Sequence, residues 1–251
     1  MAAKGFAWWQ NFFEDLRPVF DTLNPRDNRN DIRYVTKKLT LKRGAKFLDC
    51  PCGIGRIAFP LAQKGIRVTG VDITASYLEE LQRKAKRLKL KIELLHMDMR
   101  RIDFQNRFDA AANLGTSLGY FDKESDDRLV IRKIYRALKP GGKFMLHLIN
   151  RDWIMANFAP RGWSQAGNMK ILEERNFDYR TSKNRGIWHF IKDGVESSHE
   201  VNIRVYAYHE LVRMLEAAGF VDIQGFGTTK DDPISRDHRM MFIIGTKPKK
   251  R

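Results

Sequence analysis

The residues best equipped for chemistry lie in Lys46-Phe-Leu-Asp-Cys-Pro-Cys-Gly-Ile-Gly-Arg56. An apolar run ends at Asp49, and Gly53 and Gly55 follow, two residues whose missing Cβ opens backbone angles and close approaches denied to other side chains. Behind them Ile57–Ala62 reads as a helix whose amino end faces whatever the turn holds. Strand, glycine turn and helix in that order make a nucleoside-binding corner. Gly53-Ile54-Gly55-Arg56-Ile57-Ala58 also satisfies the relaxed dinucleotide fingerprint, so a nicotinamide or flavin site competes. The intervening Asp49-Cys50-Pro51-Cys52 weighs against it, because a carboxylate at the strand end suits an ammonium group and repels a pyrophosphate.

Two further acids fall at strand ends. Asp72 closes Val68-Thr69-Gly70-Val71-Asp72, about twenty residues past the glycines, where a carboxylate can accept both hydroxyls of a ribose. Asp98 follows a third strand in His96-Met97-Asp98-Met99, within reach of an adenine amino group. Three carboxylates at three successive strand ends fit a ligand with a cationic amino-acid end, a ribose and an adenine. S-adenosylmethionine has all three.

These motifs resemble those of class I S-adenosylmethionine-dependent methyltransferases, over roughly residues 45–150. The glycine motif corresponds to Leu48–Arg56, the ribose acid to Asp72, and the adenine position to Asp98 with Met99. The turn Lys139-Pro140-Gly141-Gly142 before a strand is a further likeness. The resemblance implies a cofactor site formed by Asp49, Cys50, Gly53, Gly55, Arg56, Asp72, Ile73, Asp98, Met99, Asn113 and Leu114, with S-adenosylhomocysteine as product.

The fourth strand runs into Asn113-Leu-Gly-Thr-Ser-Leu-Gly-Tyr-Phe121, beside the expected position of the transferable methyl group. Its Ser117-Leu118-Gly119-Tyr120 resembles the Ser-x-Gly-Tyr segment of small-molecule methyltransferases, including amino-sugar N-methyltransferases. It departs from the Asn-Pro-Pro-Tyr motif of enzymes that methylate nucleobase amines. Both cysteines sit in the glycine motif, so no loop offers the nucleophile of cytosine-C5 methylation. Methyl transfer from a sulfonium requires chiefly alignment and exclusion of water. A hydroxyl acceptor would also need a base, for which Tyr120 and His147 are the candidates. Trp153, Trp163, Arg175, Tyr179 and Trp188 are the expected substrate contacts, with Tyr120.

The elements that must carry these residues alternate: strand Lys46–Asp49, helix Arg56–Lys64, strand Val68–Asp72, helix Ala75–Leu88, strand Ile92–His96, strand Phe108–Asn113, helix Glu124–Leu138, strand Lys143–Ile149. Such alternation predicts a mostly parallel sheet, helix-covered on both faces, with right-handed crossovers. With Phe220–Phe226 and Met240–Gly245 as an antiparallel edge, the expectation is a seven-stranded Rossmann-like α/β methyltransferase fold. Ile171–Tyr179, Gly186–Ile191 and Glu200–Tyr206 read as a small antiparallel sheet, a substrate cap or else a dimer surface. Trp9, Phe12, Phe13, Leu16 and Phe20 within Phe6–Phe20 have helical spacing, which fits core packing or a lid. One domain accounts for the whole: helical lid 1–44, cofactor core 45–150, cap insertion 151–207, helix and edge strands 208–246, and basic tail 247–251.

Length and composition set outer bounds. The chain has 251 residues, 43% hydrophobic and 30% charged, enough for one large α/β domain with its own core. No apolar run reaches the roughly 18 residues of a membrane span, and the start lacks a secretion signal, so a cytoplasmic monomer or homodimer without membrane attachment is expected. Cys50 and Cys52 are too close to staple a fold and too few for zinc. His199-Glu200 and His209-Glu210 each lack a second metal-binding histidine, so no metal is expected. A net charge of +16 fits either a solvated surface or a polyanion partner. The site motifs favour a small-molecule acceptor. An RNA-modifying enzyme recruited by its basic surface, or a non-catalytic cofactor-binding protein, are the alternatives.

Overall fold

The computed structural model describes residues 8–249. Phe6 of the expected aromatic helix and Lys250 and Arg251 of the basic tail lie outside these residues.

Helix α1 (Trp9–Leu16) and a 3-10 turn (Arg17–Thr22) lead into α2 (Pro25–Lys38). Asn24 caps α2 by accepting from the Arg26 amide at 2.9 Å, and Pro25 stands where its absent N–H costs nothing. The alternating core then follows as β1 (Lys46–Asp49), α3 (Ala58–Gln63), β2 (Arg67–Asp72), α4 (Ala75–Arg87), β3 (Ile92–His96), β4 (Phe108–Asn113), α5 (Glu124–Ala137) and β5 (Leu138–Ile149). After α6 (Arg151–Ala156) come β6 (Arg161–Ala166), β7 (Met169–Asp178), β8 (Lys183–Lys192) and β9 (Val195–Arg204). Helix α7 (Tyr208–Ala218), β10 (Val221–Phe226) and β11 (Met240–Thr246) complete the chain.

The main sheet has seven strands in the order β10-β11-β5-β4-β1-β2-β3. All neighbours pair in parallel except β11, which runs antiparallel to both β5 and β10. The chain winds outward from β1 through β2 to β3, then returns to build β4 and β5 on the other side. That reversal leaves a crevice beyond the carboxyl ends of β1 and β4, the place where open α/β sheets bind ligands. One buried cluster packs α5 and α7 on one face through Val130, Ile134, Leu211 and Leu215. A second packs α2, α3 and α4 on the other through Val35, Leu61 and Leu81.

The second sheet, β6-β7-β8-β9, is wholly antiparallel. It has four strands where the sequence pattern predicts three. Strand β6 escapes notice because Trp163 and its neighbours are exposed, so no apolar alternation marks it. The β8–β9 hairpin turns at Asp193 and Gly194, φ +51° and +81°, as expected of a two-residue turn with both central residues left-handed. The Lys139–Gly142 segment does not stand apart as a turn. Strand β5 begins at Leu138, and a register shift against β4 absorbs the glycines.

Candidate active site

The crevice opens into a cavity of about 1030 Å³ including its open mouth. Its floor is the end of β1 and the glycine turn. Asp49 is buried there, and burial pushes its carboxyl up to about 7, with Arg56 pulling it down and Asp72 pushing it further up. The Asp72 carboxylate accepts from the Gly53 amide at 2.7 Å and from the Thr74 amide at 2.9 Å. It therefore shapes the glycine turn besides facing the cavity. Burial raises Asp72 above the usual carboxylate value, against the pull of those two amides.

The two glycines differ. A Cβ on Gly53 would meet no atom within 4 Å, so the space over it belongs to the cavity. A Cβ on Gly55 would lie 2.4 Å from Leu81 Cδ1, so this position is small to let the turn seat on α4. Gly55 is not among the cavity-lining residues, which corrects the expectation that both glycines serve approach to the cofactor.

Asp98 caps a short 3-10 turn, accepting from the Arg100 amide at 2.8 Å and from the Arg100 guanidinium at 2.6 Å. Burial acts upward on it, but those bonds hold it below the usual value. Arg100 also reaches Asp126 at 3.0 Å and lies over the Phe121 ring. Ile73, Met99 and Leu114 line the same wall. Arg56 lines it too, although its guanidinium is engaged by Asp31 at 2.6 Å and Asn28 at 3.1 Å. Cys50 and Asn113 lie behind the wall. Asn113 Nδ2 donates to the Cys50 carbonyl at 2.9 Å, while its buried Oδ1 has no partner. Burial drives both cysteine thiols well above their ordinary value, which leaves them without thiolate chemistry.

The roof is aromatic. Trp9, Phe13 and Phe20 from the amino-terminal segment meet Tyr77, Tyr120 and Phe121 across the cavity. On one side the segment is tied to α4, by the two bonds from Arg17 to Glu80 at 2.7 and 2.9 Å and by Glu14 to Ser76. On the other it is tied to the second sheet, through Asp15 with Ser197 and His199, both at 2.7 Å, and through Phe12 against Trp188 and Phe190. Trp9, Phe13, Phe20, Tyr77, Ser117 and Phe121 are among the lining residues that the sequence did not mark as part of the site. The helical spacing of the aromatics was the available signal, but it marks core and lid alike.

The two candidate bases fare differently. Tyr120 lines the cavity, with its ring against Trp8 and Phe13. Burial raises its hydroxyl, which stays protonated at neutral pH. His147 does not line the cavity. It sits mid-strand in β5, stacked on Phe242 at 4.2 Å, and burial pushes it down to about 3, too weak a base to take a proton near neutrality.

None of the five residues expected to contact substrate from the cap region reaches the cavity. Trp163 and Tyr179 are exposed at 70% and 74%. Trp153 lies on α6 beneath Arg239, and Arg175 is held by Glu173 and the Ala159 carbonyl. Trp188 packs on Phe12, the underside of the roof segment. The physical reason is that the second sheet spends its inner face supporting α1, so α1, not the sheet, covers the cavity.

The donor set fits an aminoacyl nucleoside: a buried acid at the β1 end, an open cradle over Gly53, acids at the β2 and β3 ends, and apolar walls between. Among the described residues no cluster of His, Cys, Asp and Glu could hold a metal ion, and no helix is long and apolar enough to cross a membrane.

A family model described as a methyltransferase domain matches residues 47–142, which include the glycine motif and all three acids. The S-adenosyl-L-methionine-dependent Diels-Alderase iccD of Talaromyces variabilis is 35% identical over 235 residues, 89% of this chain and 70% of that protein. A protein of Geobacillus sp. (strain WCH70) is 32% identical over 145 residues, and the match spans 57% of this chain and only 55% of that relative, about half its length. The crystal structure of an S-adenosylmethionine-dependent methyltransferase from Clostridium acetobutylicum superimposes with a TM-score of 0.79 over 95% of this chain and 98% of the other. At 16% identity that likeness speaks for the fold. Fold, site and relatives agree that the chain belongs to the class I S-adenosylmethionine-dependent methyltransferase family.

Proposed function

We propose that the protein transfers a methyl group from S-adenosylmethionine to a nitrogen or oxygen of a small, largely apolar acceptor, leaving S-adenosylhomocysteine. The sulfonium supplies an already activated methyl group, so the chain's own task is to bind, align and exclude water. Asp49 would receive the ammonium group, Asp72 the ribose hydroxyls, and Asp98 with Met99 the adenine. Ile73 and Leu114 flank these positions, and Asn113 holds the Cys50 carbonyl behind them.

The observation that carries the acceptor class is the roof. Trp9, Phe13, Phe20, Tyr120 and Phe121 close the cavity over the acids and offer aromatic surface with no free cation to pair with a phosphate. A planar or amine-bearing small molecule suits such a chamber. Tyr120 is held protonated and His147 lies elsewhere, which favours an acceptor that needs no strong protein base: an unprotonated amine or an already acidic hydroxyl. The alternative of an RNA acceptor finds no support in this lining, whose one arginine, Arg56, is engaged by Asp31 and Asn28.

A second reading rests on the Talaromyces relative, whose name couples S-adenosylmethionine to a cycloaddition. An aromatic roof of this kind also suits a reaction that moves no proton. The deciding experiment is calorimetric titration with S-adenosylmethionine, followed by mass spectrometry of a panel of amines, phenols and polyenes. A product heavier by one methylene unit supports methyl transfer. Isomerised product of unchanged mass supports the second reading, and tight cofactor binding with no product on any acceptor supports a non-catalytic role. Failure to bind S-adenosylmethionine sinks all three.

A further inference from the structure

The cavity at the carboxyl ends of the strands is lined by acids, yet the chain carries a net charge of +16. Much of the excess gathers at the opposite edge of the sheet, where the parallel strands begin. Lys46 and Arg67 open β1 and β2 and are register partners, and Lys91 immediately precedes β3 in line with them. Neighbouring strands lie roughly 4.8 Å apart, so these three cations form a row about 10 Å long.

The row lies in a second, open cleft between the strand starts and the end of α4, lined by Lys46, Arg67, Lys91 and Arg107. Its one acid, Glu93, is already occupied by Arg107 and by the Thr69 hydroxyl. Lys46, Arg67 and Lys91 take part in no salt bridge among the described residues. Lys42, Lys64, Arg87 and Lys89, in the segments that flank these strands, are also exposed. Positive charge in the last turn of α4 complements the helix dipole. That accounts for Arg87, not for cations on three strand starts.

We infer that this cleft docks the phosphodiester backbone of a single-stranded RNA, away from the reaction site. A strand with one charge per repeat matches a row of evenly spaced cations in a concave track. A bilayer surface is flat and cannot enter the cleft. Of the apolar residues lining it, Ile66, Val68 and Phe108 are buried and Leu90 and Ile92 half-buried, so no fully exposed side chain offers an anchor for acyl chains. No exposed aromatic lines it either, so contact is to the backbone and carries little sequence preference. The site is independent of the proposed methyl transfer: it shares no lining residue with the cofactor cavity.

The test titrates the full chain with a fluorescein-labelled single-stranded oligoribonucleotide of mixed sequence across a salt series. Phosphatidylserine vesicles and polyglutamate serve as the competing polyanions. Binding should weaken steeply with salt, and Arg67→Gln with Lys91→Gln should lower the slope of log K against log salt by about 1.4. The double variant should keep the melting temperature and the S-adenosylmethionine affinity of the parent, which separates loss of the cleft from loss of the fold. The inference is overturned if RNA fails to bind at low salt, or if the double variant keeps the parental slope. It is equally overturned if vesicles or polyglutamate bind as tightly as RNA through the same two residues.

Discussion

The Asp127 carboxylate accepts from the Tyr206 hydroxyl at 2.6 Å and, with its other oxygen, from the Gly119 amide at 2.8 Å. All of this lies out of solvent, so the pair fastens the Asn113–Phe121 loop to α5 and to the end of the second sheet. A Cβ on Gly119 would stand 2.1 Å from the Arg204 carbonyl, which accounts for glycine beside Tyr120. Asp127→Ala strips two buried donors of their acceptor, a loss of about 1–3 kcal/mol each. Acceptor KM should rise several-fold while S-adenosylmethionine affinity holds. Steady-state kinetics beside calorimetry reads both, and an unchanged KM in a folded variant would show that the loop needs no such anchor.

Asp72 works in two directions, toward the cavity and toward the Gly53 amide. Asp72→Ala should weaken S-adenosylmethionine binding by about 1–3 kcal/mol and also lower the melting temperature, since the turn loses its internal acceptor. Asp72→Asn keeps one acceptor oxygen and should recover part of the stability. Calorimetry and thermal melts on the two variants check this; full affinity in the alanine variant would remove Asp72 from the cofactor site.

Gly55→Ala places a methyl group against Leu81 at a φ of +80°, whereas Gly53→Ala at +52° meets open space. Gly55→Ala should therefore cost more stability, and Leu81→Ala should partly relieve it in the double variant despite its own cavity cost. Gly53→Ala should carry mainly the left-handed backbone penalty of about 1–2 kcal/mol and lose cofactor affinity. Denaturant melts of the set, with additive effects for positions 55 and 81, would refute the steric account.

Tyr120 has a hydroxyl held protonated by burial and no hydrogen-bond partner among the described residues. A general base contributes about 10²–10⁴-fold, so Tyr120→Phe should keep kcat within roughly ten-fold if the ring only walls the chamber. Tyr120→Ala should lose far more, because Trp8 and Phe13 lose their ring contacts. A hundred-fold fall in the phenylalanine variant would restore Tyr120 as a base.

The acids that line the cavity were legible in the sequence because they sit at strand ends, which are marked by apolar runs that local periodicity reveals. Asp49, Asp72 and Asp98 converge because the topology carries successive strand ends to one crevice. What the side chains of the second sheet face was not legible. Trp188 and Trp163 share a polar-aromatic strand pattern, yet one supports α1 and the other faces solvent. That difference depends on which way the second sheet turns, and no local pattern encodes it. His147 misled for a related reason: a histidine in an apolar strand looks alike whether it faces a pocket or stacks on Phe242.

The raised carboxyl of Asp49, in its proposed place beside the ammonium group, should tie S-adenosylmethionine binding to pH. Its folded value of about 7 lies above the ordinary 3.8, and Asp127 is likewise raised by burial to about 6. Between pH 3.8 and those values the folded protein holds more protons than the unfolded chain. Stability from each group is therefore fully present below 3.8 and is lost as pH rises, by at most about 1.4 kcal/mol per pH unit. His147, pushed down to about 3 by burial, works the other way below about 6.5, one group against two, so the cofactor-free protein should still melt higher near pH 5 than near pH 8, and Asp49→Asn should flatten much of that slope. An ammonium group beside Asp49 demands the ionised form, so S-adenosylmethionine affinity should move the opposite way, falling toward ten-fold per unit as pH drops below about 7. Titrations in buffers of different ionisation enthalpy should then register release of a proton on binding at pH 6. An affinity that stays level from pH 8 down to about 5.5 would mean that Asp49 meets no cation, and the ammonium end of the cofactor would have to lie elsewhere in the cavity.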